Sequence, residues 1–262
     1  MNQLEKNILR WQKKPSQRRS DGVFIVEGIK MIRELPLERL TAVAASDSFM
    51  KEHRFQISEL EKTCKSQKLP FVVVPDGDYA RLSDTKTPQG ILAVVRAYDY
   101  TAEEILKKEK GLYLALESLQ DPGNLGTILR SGEAAGVDGL ILNESCVDLY
   151  NPKVIRATMG SFFRMKFAVT KDLPGLVQRF REDGGAVYAA HLKGEKSYEQ
   201  ADYTGKTMIL IGNESKGLTD ALTKEASELV RIPMAGKVES LNAAMAATIL
   251  MFEAMRQRRN AG

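Results

Sequence analysis

The sequence predicts an α/β protein whose larger, C-terminal part is a mainly parallel sheet covered by helices on both faces. Three observations predict it. Six apolar runs of strand length follow one another between residues 112 and 232 with helical patterns between most of them, the alternation that parallel strands require because each crossover needs a helix or a long connection. The runs are apolar on consecutive positions, as in strands buried on both faces. A chain of 262 residues also exceeds one ordinary domain, so a second, smaller α/β domain is expected ahead of the sheet.

In that first domain Val23 to Val26 reads as a strand and Gly28 to Leu35 as a helical stretch. Val43 to Ala45, Phe71 to Val74 and Ile91 to Val95 are further strands, with a helix near Ser58 to Gln67. The apolar pattern then stops. A charged stretch with Glu103, Glu104, Lys107, Lys108, Glu109 and Lys110 reads as a linker or linker helix, giving a first domain of 1–98, a linker of 99–110 and a second domain of 111–262. In the second domain the strands are Leu112 to Leu116, Gly139 to Leu142, Met165 to Val169, Ala186 to Ala190, Met208 to Ile211 and Leu229 to Ile232. The helices are Leu125 to Ala135, Val154 to Thr158, Leu173 to Arg181, Asp220 to Ala226 and Leu241 to Arg258.

The final helix is apolar nearly all round. Leu241, Ala244, Met245, Thr248, Phe252 and Met255 form one stripe, and Ala243, Ala246, Ala247, Leu250 and Ala254 lie behind it. Such a helix is covered on more than one face, either inside a thick domain or between two copies of the chain.

A composition of 43% hydrophobic and 27% charged residues is that of a globular chain. Apolar runs are too short for a membrane span, and the basic first twenty residues lack the apolar core of a signal peptide. The only cysteines, Cys64 and Cys146, cannot form a disulfide framework, so a reducing cytoplasm is expected. The net charge of +4 is concentrated at the N-terminus, where Lys6, Arg10, Lys13, Lys14, Arg18 and Arg19 outweigh Glu5. A local basic cluster is the footprint of a polyanion partner or simply a solvated helix. Trp11 within it could stack on a base or anchor the helix.

Spacing excludes several common sites. Gly205, Lys206 and Thr207 mimic the tail of a phosphate-binding loop, but Gln200 stands where its first glycine belongs and a strand follows where a helix is required. No G-x-G-x-x-G follows a strand. His53 and His191 are far apart, and no Cys, His or Asp spacing suggests a metal.

Three polar clusters remain, each after an apolar strand or at the mouth of a helix, where open α/β sheets hold ligands. The first, Asp121 to Gly136, places Leu125, Ile128, Leu129 and Gly132 on one helical face and points Arg130 away from it. Asn124 suits an N-cap. The second, Ile209 to Leu218, ends a strand in a glycine-bracketed loop where Gly212 would allow backbone contact with a flat ligand and Glu214 could accept hydrogen bonds. The third, Ile232 to Ala247, brings Ser240 and Asn242 to the mouth of the last helix. Ser240 reads as its N-cap, and Asn242 as an amide in need of partners.

In this order NLGTILRS with Gly136, IGNESKGL and IPMAGKVESLN resemble the three motifs of the SpoU/TrmH RNA 2'-O-ribose methyltransferases of the SPOUT class, and the resemblance covers the whole second domain. The basic lead-in, FIVEGIK (Phe24 to Lys30) and TPQGILAVV (Thr87 to Val95) are similar to the L30e-like substrate-binding domain that many members carry. The resemblance implies a deep trefoil knot, against the general rarity of knots, and S-adenosyl-L-methionine as cofactor. It places Gly212, Ile232, Met234 and Leu241, with Ala190, around the adenosine, and Ser240 and Asn242 beside the methyl donor and the ribose. It makes Arg130 the catalytic arginine, oriented by Asn124, and Glu214 the motif 2 carboxylate. A homodimer would complete each site, and no metal is implied. The expected substrate is ribosomal RNA bound through the six basic residues, with transfer RNA, a resistance methylation or a non-catalytic ribosome-assembly role as the alternatives.

Overall fold

The computed structural model describes residues 2–261. The chain forms two compact units. One contains the residues up to Tyr98 together with Asp148–Phe163, and the other contains Asp99–Val147 and the residues from Arg164 onward.

The first unit runs α1 (Gln3–Lys13), α2 (Pro15–Asp21), β1 (Val23–Glu27), α3 (Ile29–Arg33), β2 (Leu40–Ser46), α4 (Asp47–His53), α5 (Ser58–Ser66), β3 (Phe71–Val74), α6 (Asp76–Leu82) and β4 (Ile91–Arg96). Its sheet has the order β1-β4-β2-β3, with β4 antiparallel to β1 and β2, and β3 parallel to β2. The two N-terminal helices are separate because Pro15, at the first position of α2, has no N–H to continue α1. Ile8 of α1 is buried with Ile25, Ala44, Tyr79 and Leu92, and Trp11 packs on the same cluster. Trp11 also donates its indole N–H to Asp21 (2.7 Å), so it anchors the helix. Glu27, buried at the end of β1, accepts hydrogen bonds from the Ser83 hydroxyl (2.7 Å) and the Gln89 N–H (3.0 Å), which offsets the cost of burying its charge.

Arg18 departs from the sequence expectation of an RNA-facing residue. It is 3% exposed, donates to the Trp11 carbonyl (2.6 Å) and pairs with Asp148 (2.5 Å). Its guanidinium is used on the otherwise unpaired carbonyls at the end of α1, whereas Lys6, Arg10, Lys13, Lys14 and Arg19 are exposed. Asp148 belongs to the segment that the sequence reading places in the second domain. That segment joins the first unit because its aromatic rings pack there: Tyr150 lies 5.0 Å and Phe162 5.4 Å from Phe24, and Phe162 lies 6.1 Å from Tyr98.

The second unit begins with α7 (Ala102–Ile105), whose Ala102 and Ile105 enter the core, so the charged stretch is not a free linker. Thr101 and Glu104 close a capping box at its start. The order continues β5 (Leu112–Leu116), α8 (Pro122–Ala134), β6 (Gly139–Asn143), α9 (Pro152–Ala157, in the first unit), β7 (Phe167–Thr170), α10 (Leu173–Glu182), β8 (Ala186–Ala190), β9 (Lys196–Ser197), β10 (Thr207–Ile211), α11 (Asp220–Thr223), β11 (Glu228–Arg231) and α12 (Ala243–Ala261). The expected mainly parallel sheet is present, with seven strands in the order β7-β6-β5-β10-β8-β11-β9 and every neighbouring pair parallel. The two-residue β9 is the strand that the apolar runs did not announce.

Helix α12 starts two residues later than expected. It buries Ala244, Ala247, Leu250, Met251 and Ala254, but Met245 and Phe252 remain 55% and 40% exposed, so the chain itself covers one face of the helix and not its whole circumference. Among the described residues no helix is long and apolar enough to cross a membrane, and no group of three or more His, Cys, Asp or Glu is placed to hold a metal.

Candidate active site

Strand order reverses between β5 and β10. At such a switch point neighbouring connections leave in opposite directions and open a crevice at the carboxyl ends of the strands. A cavity of about 380 Å³ lies along the ends of β8, β10 and β11, with Ala190, Ile211 and Ile232 on its wall and the two glycine-rich loops on its rim. Its size is that of a small-molecule site.

All five residues expected around the adenosine, Ala190, Gly212, Ile232, Met234 and Leu241, line this cavity, as do Glu214 and Ser240. The small residues Ala243 and Ala246 at the start of α12 and the side chain of Leu218 complete it. This wall, apolar with small side chains and carrying charged groups only at the rim, fits a purine nucleoside with a charged tail. Gly212 is required for a reason other than ligand contact. A Cβ there would stand 2.2 Å from the Gly217 carbonyl carbon and 2.4 Å from the Leu218 nitrogen, so the chain's own loop closes over it. The loop is held by the Asn213–Gly217 bridge, by Asn213 donating to the Ser118 carbonyl (2.7 Å), and by Gly217 at φ +68°.

One hydrogen-bonded network joins the three polar clusters. Glu214 accepts from the backbone N–H of Asp121 (3.0 Å) and Gln120 (3.2 Å) and from the Asn124 amide (3.0 Å). Asn124 in turn accepts from the Asn242 amide (2.9 Å). Partial burial pushes the Glu214 carboxyl up, but the hydrogen bonds from Asn124 and the backbone at 120–121 outweigh it and hold the group below its ordinary range. Two cap assignments change. Pro122 takes the first position of α8, so Asp121 is the N-cap and accepts from the Asn124 N–H (2.8 Å). This frees the Asn124 side chain for the network. At α12 it is Asn242, exposed and not Ser240, that accepts from the Ala244 N–H (2.9 Å).

Arg130 is exposed on α8, makes no hydrogen bond or ion pair among the described residues, and does not line the cavity. Among the described residues no hydrogen bond joins Asn124 to Arg130; the Asn124 amide donates to Glu214 and accepts from Asn242. Sequence reasoning missed the buried Glu117, which accepts from the Thr219 hydroxyl (2.7 Å) and N–H (2.8 Å) and ties β5 to the loop after β10, and also Asn213. Their signal was present, since Glu117 directly follows the apolar run of β5 and Asn213 follows that of β10 after a single glycine. His191, Lys193 and Lys216 on the cavity rim were likewise not singled out as binding residues.

Residues 111–252 match the SpoU rRNA methylase family. The chain belongs to that family. Residues 2–93 match the MRM3-like substrate-binding domain. A 23S rRNA (guanosine(2553)-2'-O)-methyltransferase, RlmP, of Bacillus subtilis is 29% identical over 90% of both chains. A tRNA/rRNA methyltransferase of Synechocystis, itself uncharacterized, is 35% identical over 68% of this chain and 65% of its own length. Among solved structures, the SpoU methyltransferase AviRb from Streptomyces viridochromogenes in complex with AdoMet superposes with a TM-score of 0.88 at 28% identity over 99% of both chains. An AdoMet-bound rRNA methyltransferase from Sinorhizobium meliloti gives a TM-score of 0.86 at 31% identity over 97% of this chain and 95% of its own. The fold described above is thus that of a SpoU methylase.

Proposed function

We propose that the protein transfers a methyl group from S-adenosyl-L-methionine to a ribose 2'-hydroxyl of ribosomal RNA. The observation that carries the reading is the cavity at the ends of β8, β10 and β11, walled by the residues assigned to the nucleoside and joined through Glu214 to Asn124 and Asn242. When bound, the cofactor supplies an electrophilic methyl on a sulfonium. The protein's own residues position and activate the hydroxyl, a poor nucleophile near neutrality. Ser240, on the cavity lining, and Asn242, tied to the network through Asn124, are read as the residues that orient the ribose. Arg130 is read as a clamp on a phosphate and the 2'-oxygen that eases loss of the proton; its high pKa makes it a poor proton acceptor.

The site is proposed to be completed by a second copy. Arg130 and Thr127 are exposed on α8, Met245 and Phe252 are exposed on α12, and Thr248 of α12 donates to Ser131 of α8 (3.0 Å). An isologous contact through these helices would cover the apolar side chains and carry Arg130 to the partner's cavity. Threading of the chain from β10 to α12 into a trefoil knot and a cytoplasmic location belong to the same reading.

Ribosomal RNA is favoured over transfer RNA by the similarity across 90% of both chains to a 23S rRNA enzyme and by the substrate-binding domain ahead of the methylase. Lys6, Arg10 and Lys13, spaced four and three residues apart on α1, form one exposed basic stripe that suits a phosphate backbone. The test is to map 2'-O-methyl sites in total RNA from cells with and without the gene. A single site lost from ribosomal RNA is expected. An unchanged map, or a loss confined to transfer RNA, overturns the reading.

A further inference from the structure

The charge on the cavity rim is not accounted for by the nucleoside. Lys193 follows β8, Lys216 lies in the loop after β10, and Arg231 ends β11; all three line the cavity, are exposed, and make no ion pair among the described residues. Of the two carboxylates on the lining, Glu214 is committed to Asn124 and the backbone of residues 120–121, which leaves Glu239. The two lysines are carried on stiffened turns. The His191 ring nitrogen Nδ1 accepts from the Lys193 N–H (3.0 Å), and a Cβ on the adjoining Gly194 would stand 2.7 Å from the Val230 carbonyl carbon, so this turn is pressed against β11. The Asn213 side-chain oxygen Oδ1 accepts from the N–H of Ser215 (2.9 Å) and Lys216 (3.0 Å). Three uncommitted cations from three strand ends, held around one mouth, make a receptor for a compact anion.

We propose that Lys193, Lys216 and Arg231 bind the carboxylate of the amino-acid tail of the methyl donor, and so fix the donor's charged end at the rim while the apolar wall takes its adenosine. The inference rests on S-adenosyl-L-methionine being the cofactor. The tail carboxylate is that molecule's only anion. Glu239, the carboxylate left on the lining, is the counterpart for the tail ammonium.

The test compares two ligands with the same neutral thioether, S-adenosylhomocysteine, which keeps the tail, and 5'-methylthioadenosine, which lacks it. Calorimetry on the full chain is run at low and high salt for the wild type, for Lys193→Gln, Lys216→Gln and Arg231→Gln singly, and for the three combined. Exposed ion pairs contribute at most a few-fold each, so the combined variant should bind S-adenosylhomocysteine on the order of tenfold more weakly. Its affinity for methylthioadenosine should change less than twofold, which also shows that the cavity is folded. The salt dependence of S-adenosylhomocysteine binding should flatten. An unchanged affinity for S-adenosylhomocysteine overturns the proposal, as does equal weakening of both ligands. A loss confined to RNA affinity overturns it too and assigns the cations to the RNA backbone. A wild type that binds neither ligand sinks the methyl-donor reading as well.

Discussion

Replacing Glu214 by Gln removes charge at the point where three donors converge. The carboxylate accepts from two backbone N–H groups and the Asn124 amide at 3.0 to 3.2 Å. An amide in its place keeps one accepting oxygen and turns an NH₂ toward donors. Hydrogen bonds to a charged group contribute about 1.5–3 kcal/mol each. The site is partly exposed, so a net loss of about 2 kcal/mol is the reasonable figure after screening. For a unit of this size that corresponds to a fall in Tm of about 4–8 °C, read by differential scanning calorimetry. Asn124 and Asn242 lose their anchor together, so turnover should drop by about tenfold or more through lost positioning, with donor affinity less affected. The pH dependence has a fixed sign. The folded-state value lies below the ordinary 4.5, so the stabilisation is fully present above that value and disappears as the pH falls through the folded-state value. The Tm gap between wild type and variant should hold down to about pH 5 and close below it. A gap under 1 °C at neutral pH with unaltered turnover, or a gap that widens in acid, would refute the reasoning.

Arg130→Lys keeps the charge but loses the planar fork, and should lower methyl transfer by on the order of a hundredfold with donor affinity intact; unaltered turnover removes Arg130 from the mechanism. Neutralising Lys6, Arg10 and Lys13 should flatten the dependence of log RNA affinity on log salt by about 2–3, and an unchanged slope places the RNA elsewhere. Arg18→Met strands Asp148 and should destabilise the first unit by about 3–5 kcal/mol in denaturant titrations, while Arg18→Met with Asp148→Leu recovers most of it; equal loss in both would mean that packing, not charge, sets the cost. Gly212→Ala forces a Cβ into the 217–218 backbone and should give misfolded or donor-blind protein, whereas normal donor binding would show that the loop can yield.

The strands of the large sheet were legible because they are buried on both faces and so read as plain apolar runs. The cavity was legible because its walls come from loops that follow such runs directly, as Gly212 follows Ile211. What the sequence could not show depends on side chains meeting across long separations. Asn124 was read as a cap because it suits one. Only the placement of Pro122 at the first helical position, with Asp121 before it, shows that its amide is free to bridge Glu214 and Asn242. Arg18 sits in a basic run and looks like its neighbours, and nothing local to it reveals a carboxylate 130 residues away. The helices α4 and α6 are short and mostly polar, so their periodicity was too weak to see. The one-sided cover of α12 was hidden by its alanines, which are equally at home against a sheet, against a neighbouring helix or in water.

The return of Asp148–Phe163 to the first unit also bears on the order of events during synthesis. The first unit cannot neutralise Arg18 until about 50 further residues have followed Tyr98 out of the ribosome, or close its aromatic cluster until about 65 have, the longer wait being roughly 3–13 s at ordinary elongation rates. Through that interval Phe24 lacks two of its ring partners, and β5 and β6 emerge before the unit that precedes them is finished. A nascent chain halted between these points should therefore be protease-sensitive in its N-terminal part and become resistant once Phe163 is free.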